Sequence, residues 1–96
     1  MLISKKGKYS VRAMTALACM ERQGNPVSLS ALSEFEKLPV SYTEQLFNKL
    51  RRAGLVKSVK GPGGGYVLGK KPSEITLFDV LLAVGEIENI PDCERK

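Results

Sequence analysis

Apolar residues recur along the first part of the chain with the period of a helix. Between Lys8 and Glu21, the positions Tyr9, Ala13, Ala16, Leu17 and Met20 fall at i, i+4, i+7, i+8 and i+11, on one face. Val11, Met14 and Ala18 widen that stripe, so the helix is expected to be buried on two sides. Cys19 is expected inside the stripe as a small structural hydrophobe. Gln23-Gly24-Asn25-Pro26 ends the helix. A second, short helix follows, with Ser28 as N-cap and Leu29, Leu32 and Phe35 as its inner face. It breaks at Glu36-Lys37-Leu38-Pro39, because Pro39 disfavours helix at the residue before it.

A third helix is predicted from a capping box, Ser41-Tyr42-Thr43-Glu44, in which the Ser41 hydroxyl and the Glu44 carboxylate satisfy each other's backbone N–H groups. Leu46, Phe47, Leu50 and Ala53 form its buried stripe, and Lys49, Arg51 and Arg52 suit the negative end of the helix dipole. Gly54 is the expected residue just past the end, with Leu55 packing back. Two strand-like runs come next, Val56–Lys60 and Tyr66–Lys70, around a five-residue tip, Gly61-Pro62-Gly63-Gly64-Gly65. A last helix runs from Thr76 to about Glu86, with Thr76 and Asp79 as a capping pair and Leu77, Val80, Leu81 and Val84 facing inward. Pro91 stops it, leaving Asp92–Lys96 as a tail.

The order is helix, helix, helix, β-hairpin, helix, with a turn of about five residues between the second and third helices. That is a mainly α domain with a small β-hairpin, a winged helix-turn-helix. The chain has 96 residues and shows no repeat or linker, so one domain is expected.

Charge sharpens this picture. The net +5 conceals a body, residues 1–71, at +9 and an end, residues 72–96, at −4. Gln45–Ser73 holds seven basic residues and no acidic one, and the first 20 residues add Lys5, Lys6, Lys8 and Arg12, again without an acid. Two such stretches in a small domain point to an anionic polymer as partner. Other chemistry falls away. With no His there is no His-based relay or zinc ligand, and two cysteines, Cys19 and Cys93, cannot close a Cys-only zinc site. No membrane-spanning run and no signal peptide are present, so a cytoplasmic protein is expected, and not an enzyme.

On this reading the third helix is the recognition helix, and Ser41, Tyr42, Thr43, Glu44 and Gln45 at its start face the base edges of the major groove. Gln can pair with adenine and Glu can accept from cytosine; Glu44 is expected to cap, to read, or both, and Ser41 chiefly to cap. Lys49, Arg51 and Arg52 suit phosphate contacts. Lys57, Lys60, Gly61, Lys70 and Lys71 form a wing able to lie against the minor groove. Gly64–Lys70 also fits the first seven positions of a phosphate-binding G-x-x-x-x-G-K loop. The next residue is Lys71 rather than Ser or Thr, however, and no helix begins there, so a plain tight hairpin is the better reading.

The strings KGKYSVRAM, PVSLSALSE, SYTEQLFNKLRRAGLV and SVKGPGGGYVLGK closely resemble the iron–sulfur cluster regulator family, the bacterial winged-helix transcription factors of the IscR, NsrR and CymR type. The resemblance runs from about Ile3 to Cys93. It implies a homodimer on roughly palindromic double-stranded DNA operators, with Ser41, Tyr42, Glu44 and Gln45 at the family's DNA-contacting helix start. Lys60 and Gly61 match its wing tip, where the family often has Arg in place of Lys60. Cluster-binding members use three cysteines after the fourth helix plus one other ligand. Cys93 matches the first of them, and the others are absent from this sequence, as is the long C-terminal dimerisation helix. The resemblance therefore implies a DNA-binding domain over residues 1–90 and, at 91–96, either the start of a truncated sensor and dimerisation segment, the favoured reading, or the end of a naturally short, cluster-free variant. It implies a [2Fe–2S] cluster for a full-length form and none held by these 96 residues, since one cysteine cannot hold it.

The expected function is a sequence-specific DNA-binding transcriptional regulator, sensing iron–sulfur, redox or nitric oxide status in its full-length form. Two alternatives stay open: a cluster-free repressor controlled by a metabolite or partner protein, and a winged helix used for protein docking.

Overall fold

The computed structural model describes residues 4–21 and 24–85. Helix α1 spans Lys5–Met20 and is capped by Ser4, whose hydroxyl accepts from the Gly7 N–H at 3.4 Å. It starts three residues earlier than the apolar period predicts, because that period marks buried positions and the first turn here is lysine-rich. Ala13, Met14, Ala16 and Leu17 are buried as expected, but Ala18 and Cys19 are exposed. The stripe is narrower than predicted, and Cys19 lies outside it.

Helix α2, Leu29–Glu36, carries the expected Ser28 cap, which accepts from Ala31 N–H at 3.1 Å. Its inner face differs from the prediction. Leu32, Ser33 and Glu36 are buried, whereas Phe35 is 58% exposed. A helix of eight residues has little more than two turns, so one specific contact can set its rotation. Here that contact is the Glu36 carboxylate, whose Oε1 lies 3.2 Å from Arg12 Nε on α1. The helix closes on Lys37, in the left-handed region at φ 56°, and Leu38 N–H returns to the Ser33 carbonyl at 3.0 Å.

Helix α3 spans Val40–Arg52, so only Lys37–Pro39 separates it from α2, less than the predicted turn. The expected capping box at Ser41 is not formed. Pro39 occupies the N-cap, and its carbonyl accepts both the Thr43 N–H and the Thr43 hydroxyl at 3.0 Å each. Ser41 is thereby drawn into the first turn and exposed. At the other end the expectation holds except for Ala53, which is exposed. Gly54, at φ 80°, donates to Arg51 O at 2.9 Å and Leu55 to Leu50 O at 3.0 Å, the paired bonds of a Schellman turn. Leu55 is then 2% exposed, packed back as predicted.

Strands β1, Val56–Val59, and β2, Gly65–Leu68, pair antiparallel with Val56 opposite Leu68 and Val59 opposite Gly65. The five-residue tip is Lys60–Gly64, one position earlier than predicted, closed by Gly64 N–H on Gly61 O at 2.9 Å. The outer edge of β2 carries a pairing that alternation does not show: Val27 and Tyr66 exchange N–H···O bonds of 2.9 and 2.8 Å. A 3₁₀ turn, Pro72–Glu74, leads to helix α4, Leu77–Ala83. Its Thr76–Asp79 capping box forms as expected, with both bonds at 3.0 Å. Val80, Leu81 and Val84 are buried, but Leu77 is 54% exposed. The predicted end of this helix near Glu86, the Pro91 stop and the tail lie outside the described residues.

One core joins these elements. Leu17 of α1, Leu32 of α2, Phe47 and Leu50 of α3, Leu55, Val56 and α4's Val80 and Val84 pack together, and the Phe47 ring lies 4.9 Å from that of Tyr66 of β2, tilted by 35°. Truncating a fully buried Phe such as Phe47 costs about 3–5 kcal/mol. That packing fixes α3 against the hairpin.

Candidate nucleic-acid interface

Helix α3 buries Thr43, Leu46, Phe47 and Leu50, so its opposite face is free for a partner. Ser41, Glu44 and Gln45 are exposed there at i, i+3 and i+4, and Lys49 and Arg52 continue the same stripe at i+8 and i+11. Arg51 is exposed beside it. Tyr42 is half-buried, its ring edge-on to Tyr9 of α1 at 6.0 Å and 85°. Of the five residues expected to face bases, Thr43 is the one not brought to this surface. It is 1% exposed, and its hydroxyl is spent on Pro39.

The hairpin stands next to this stripe. Lys57, Lys60 and Gly61 are exposed on it, and Lys70 and Lys71 are exposed just past its second strand. Tyr66 records the proximity electrically. Burial chiefly, and the Glu44 carboxylate next, push its phenol above 10.0, while Arg51 pulls the other way. Glu44 and Arg51 of α3 are therefore within electrostatic reach of the wing. Lys70 acts on α4 in turn. The Asp79 carboxyl is held below 3.8 by its hydrogen bonds with Thr76 and, more weakly, by the Lys70 cation.

Arg12 belongs to a different arrangement from the other basic residues. Its guanidinium pairs with Glu36 and lies 5.9 Å from the Tyr9 ring centroid. Glu36 Oε1, buried, has charge pairing from Arg12 but no aligned hydrogen-bond donor. Sequence reasoning missed this structural use of Arg12. An acid on the apolar face of a short helix, together with a base one turn from a tyrosine on the neighbouring helix, was the available signal.

Two concave regions lie away from α3. A mainly apolar groove of about 300 Å³ runs between α1 and the Pro72–Val80 segment, past Val11, Met14, Cys19 and Leu77. A smaller one, about 240 Å³, lies between α1 and α2 beside Arg12 and Glu36. No residue of α3 lines either groove, and of the hairpin only Leu68, at its base, lines the larger one; the polar, basic surface suits a groove-shaped polymer rather than a small molecule. For a cluster the described residues do not fit. Among them no three His, Cys, Asp or Glu side chains converge, Cys19 stands alone on α1, and Cys93 lies outside them. No helix among the described residues is long and apolar enough to cross a membrane.

Residues 3–96 match the Rrf2 family, described as iron-dependent transcriptional regulators. The chain belongs to that family. Among its Rrf2 relatives, the HTH-type transcriptional regulator IscR of Photorhabdus laumondii is 47% identical over 96 residues. The IscR of Aliivibrio salmonicida is 49% identical over the same length. The chain is covered completely in both cases but spans only 58% and 56% of those relatives' lengths. Among solved structures, CymR, the global cysteine regulator of B. subtilis, superposes with a TM-score of 0.82 at 38% identity, covering 96% of this chain and 74% of that one. T. potens IscR follows at 0.79 and 39%, covering 97% and 68%. The winged helix-turn-helix is therefore the Rrf2 fold here, and the role named for these relatives is regulation of transcription, which is not enzymatic.

Proposed function

We propose that this chain is the sequence-specific DNA-binding part of a bacterial transcriptional regulator. The observation that carries the reading is the single exposed stripe of α3, from Ser41, Glu44 and Gln45 to Lys49 and Arg52, set beside a basic wing in a family of transcriptional regulators. Tyr42 lies at the same helix start. Gln45 and Glu44 read base edges in the major groove, while Lys49, Arg51, Arg52 and Lys57 hold phosphates. Lys60 and Gly61 place the wing tip at the minor groove. The DNA-binding domain occupies residues 1–90, and residues 91–96 open a sensor and dimerisation segment. In its full-length form the protein acts in the cytoplasm as a homodimer on a roughly palindromic operator.

The same full-length form senses iron–sulfur, redox or nitric oxide status, with Cys93 among the ligands of a [2Fe–2S] cluster. When bound, such a cluster supplies a redox-reactive centre. The structural likeness to the global cysteine regulator CymR favours a second reading, a cluster-free repressor answering to a metabolite or partner protein. Visible absorbance of the anaerobically purified full-length protein separates the two.

The DNA reading is tested by salt-controlled gel shifts on duplexes that the wild type selects from a random pool. Lys60→Ala is expected to weaken binding on all duplexes and to lower the salt slope by about one. Gln45→Ala is expected to cost ~1–3 kcal/mol and relax preference at one base pair. Unchanged binding of both variants sinks the assignment. No duplex affinity even at low salt points instead to a protein-docking module.

A further inference from the structure

The outer edge of β2 carries backbone donors that a hairpin of two strands leaves unpaired. Tyr66 N–H is taken by Val27 O at 2.8 Å. Two residues along, on the same edge, Leu68 N–H donates to Glu21 Oε1 at 2.7 Å, a contact between residues 47 positions apart. Glu21 is itself the C-cap of α1, its own N–H bonded to Leu17 O at 2.9 Å. The carboxylate thus leaves a fixed helix end and takes the place of a third strand. Such charge-assisted bonds are shorter and stronger than neutral ones. A carboxylate near a basic, DNA-facing wing also opposes the field that attracts phosphate, so its place there calls for a specific contact in return.

We propose that Glu21 is a positioning residue for the wing: it ties the base of β2 to α1 and so sets where the hairpin tip stands relative to the start of α3. The proposal rests on the nucleic-acid reading above, and Glu21 itself touches no DNA. Leu68 lies at the base of the hairpin, opposite Val56, and the tip follows after Val59. From base to tip is about 13 Å at ~3.3 Å per residue. Loss of the Glu21 tie leaves β2's outer edge held by the Val27–Tyr66 pair, and a small rotation about that pair moves Lys60 away from its groove.

The test uses Glu21→Ala and Glu21→Gln, each alone and combined with Lys60→Ala. Binding is measured at fixed salt on a duplex selected by the wild-type chain from a random pool, and amide exchange is followed at Leu68. Glu21→Ala is expected to speed Leu68 exchange and weaken binding by about tenfold each, the effect of leaving one part-buried donor unsatisfied. Glu21→Gln, which keeps an acceptor oxygen, is expected to stay within about threefold of wild type in both. With Lys60 already removed, Glu21→Ala is expected to cost less than about twofold, because the two act through the same wing.

Wild-type binding and Leu68 protection in a folded Glu21→Ala variant overturn the proposal. So does an undiminished loss in the Lys60→Ala background, which means the effect does not pass through the wing. If Glu21→Ala loses its helical circular dichroism, Glu21→Gln decides: failure to keep binding and Leu68 protection overturns the role. If the wild type binds no duplex, it is the nucleic-acid reading that fails. The exchange at Leu68 then still reports whether the tie exists.

Discussion

Replacing Gly65 by alanine puts a methyl group where another segment's backbone already runs. A Cβ built there overlaps the Val27 carbonyl oxygen and lies 2.5 Å from the Val27 carbonyl carbon and 2.8 Å from Ser28 Cα. None of these is a flexible side-chain end, and Val27 is held by its two bonds to Tyr66. Relief requires the Val27 segment to move off β2, forfeiting two hydrogen bonds at ~0.5–1.5 kcal/mol each. The backbone at Gly65 adds strain, since φ is +153° and an L side chain there costs of order 1–3 kcal/mol. Together the expected loss is about 2–6 kcal/mol, a large part of the ~5–15 kcal/mol that holds a domain. Gly54 is the control within the same chain. Its φ is +80°, but nothing lies within 4 Å of the added Cβ, so Gly54→Ala should cost only ~1–2 kcal/mol. Urea unfolding followed by circular dichroism compares the two, at a slope of about 1 kcal/mol per molar for so small a chain. The midpoint should fall by roughly 1–2 M for Gly54→Ala and by roughly 2–6 M for Gly65→Ala, the larger shift in every case and up to complete unfolding in buffer. A Gly65→Ala midpoint equal to that of Gly54→Ala would refute the claim that Val27 is a rigid third partner of the hairpin.

Other consequences follow from the polar contacts. Arg12→Ala strips the buried Glu36 carboxylate of its charge partner and is expected to cost about 1–3 kcal/mol, less than a fully buried pair because Arg12 is 59% exposed. Adding Glu36→Leu should recover most of that loss in the same denaturation assay, and no recovery would contradict the pairing. Asp79 has a depressed folded-state pKa, so its contribution to the start of α4 is complete above the ordinary 3.8 and disappears as pH falls through the lowered value. The Thr76 amide resonance should titrate in that acid window and lose the titration in Asp79→Asn. Tyr66 has the opposite sign: its raised phenol pKa favours the neutral form, and the associated stability is lost only as pH rises through a value above 10.0. In a ring-labelled nuclear magnetic resonance titration, Glu44→Gln should lower that value and Arg51→Ala raise it. An unmoved Tyr66 in both variants would disprove the closeness of α3 and wing.

The parts of the fold that follow from long periodic patterns or strong local chemistry were legible in the sequence. Leu46, Phe47 and Leu50 form α3's buried face because a helix of 13 residues repeats its stripe often enough to define an inside. Gly54 closes that helix, and Thr76 and Asp79 open α4, because those residue types satisfy backbone groups locally. Where two local solutions competed, pattern did not decide. Ser41 and Glu44 spell a capping box, yet the Pro39 carbonyl captured Thr43 and moved the start of the helix, taking Thr43 off the exposed face. Phe35 and Glu36 are neighbours on a two-turn helix, and the ion pair to Arg12 chose which of them went inside, against hydrophobicity. Cys19 and Leu77 fall on apolar stripes by their period, but they border the groove between α1 and α4 instead of filling the core. The pairing of Val27 with Tyr66 and the bond from Leu68 to Glu21 join residues 39 and 47 positions apart, and no local pattern carries such contacts.

The Schellman turn at the end of α3 leaves no slack between helix and strand. Leu55 closes the turn and is buried, and β1 begins at the next residue. The base of the wing is therefore joined to the reading helix by covalent geometry, not by the equilibrium of a loop, and the Glu21 tie sets the direction of the tip from that base. Under the proposed function the domain works as a gauge of fixed jaw width. It tests whether a major groove and its neighbouring minor groove are spaced to match before any base is read, so a duplex with the right bases and the wrong groove width should be refused.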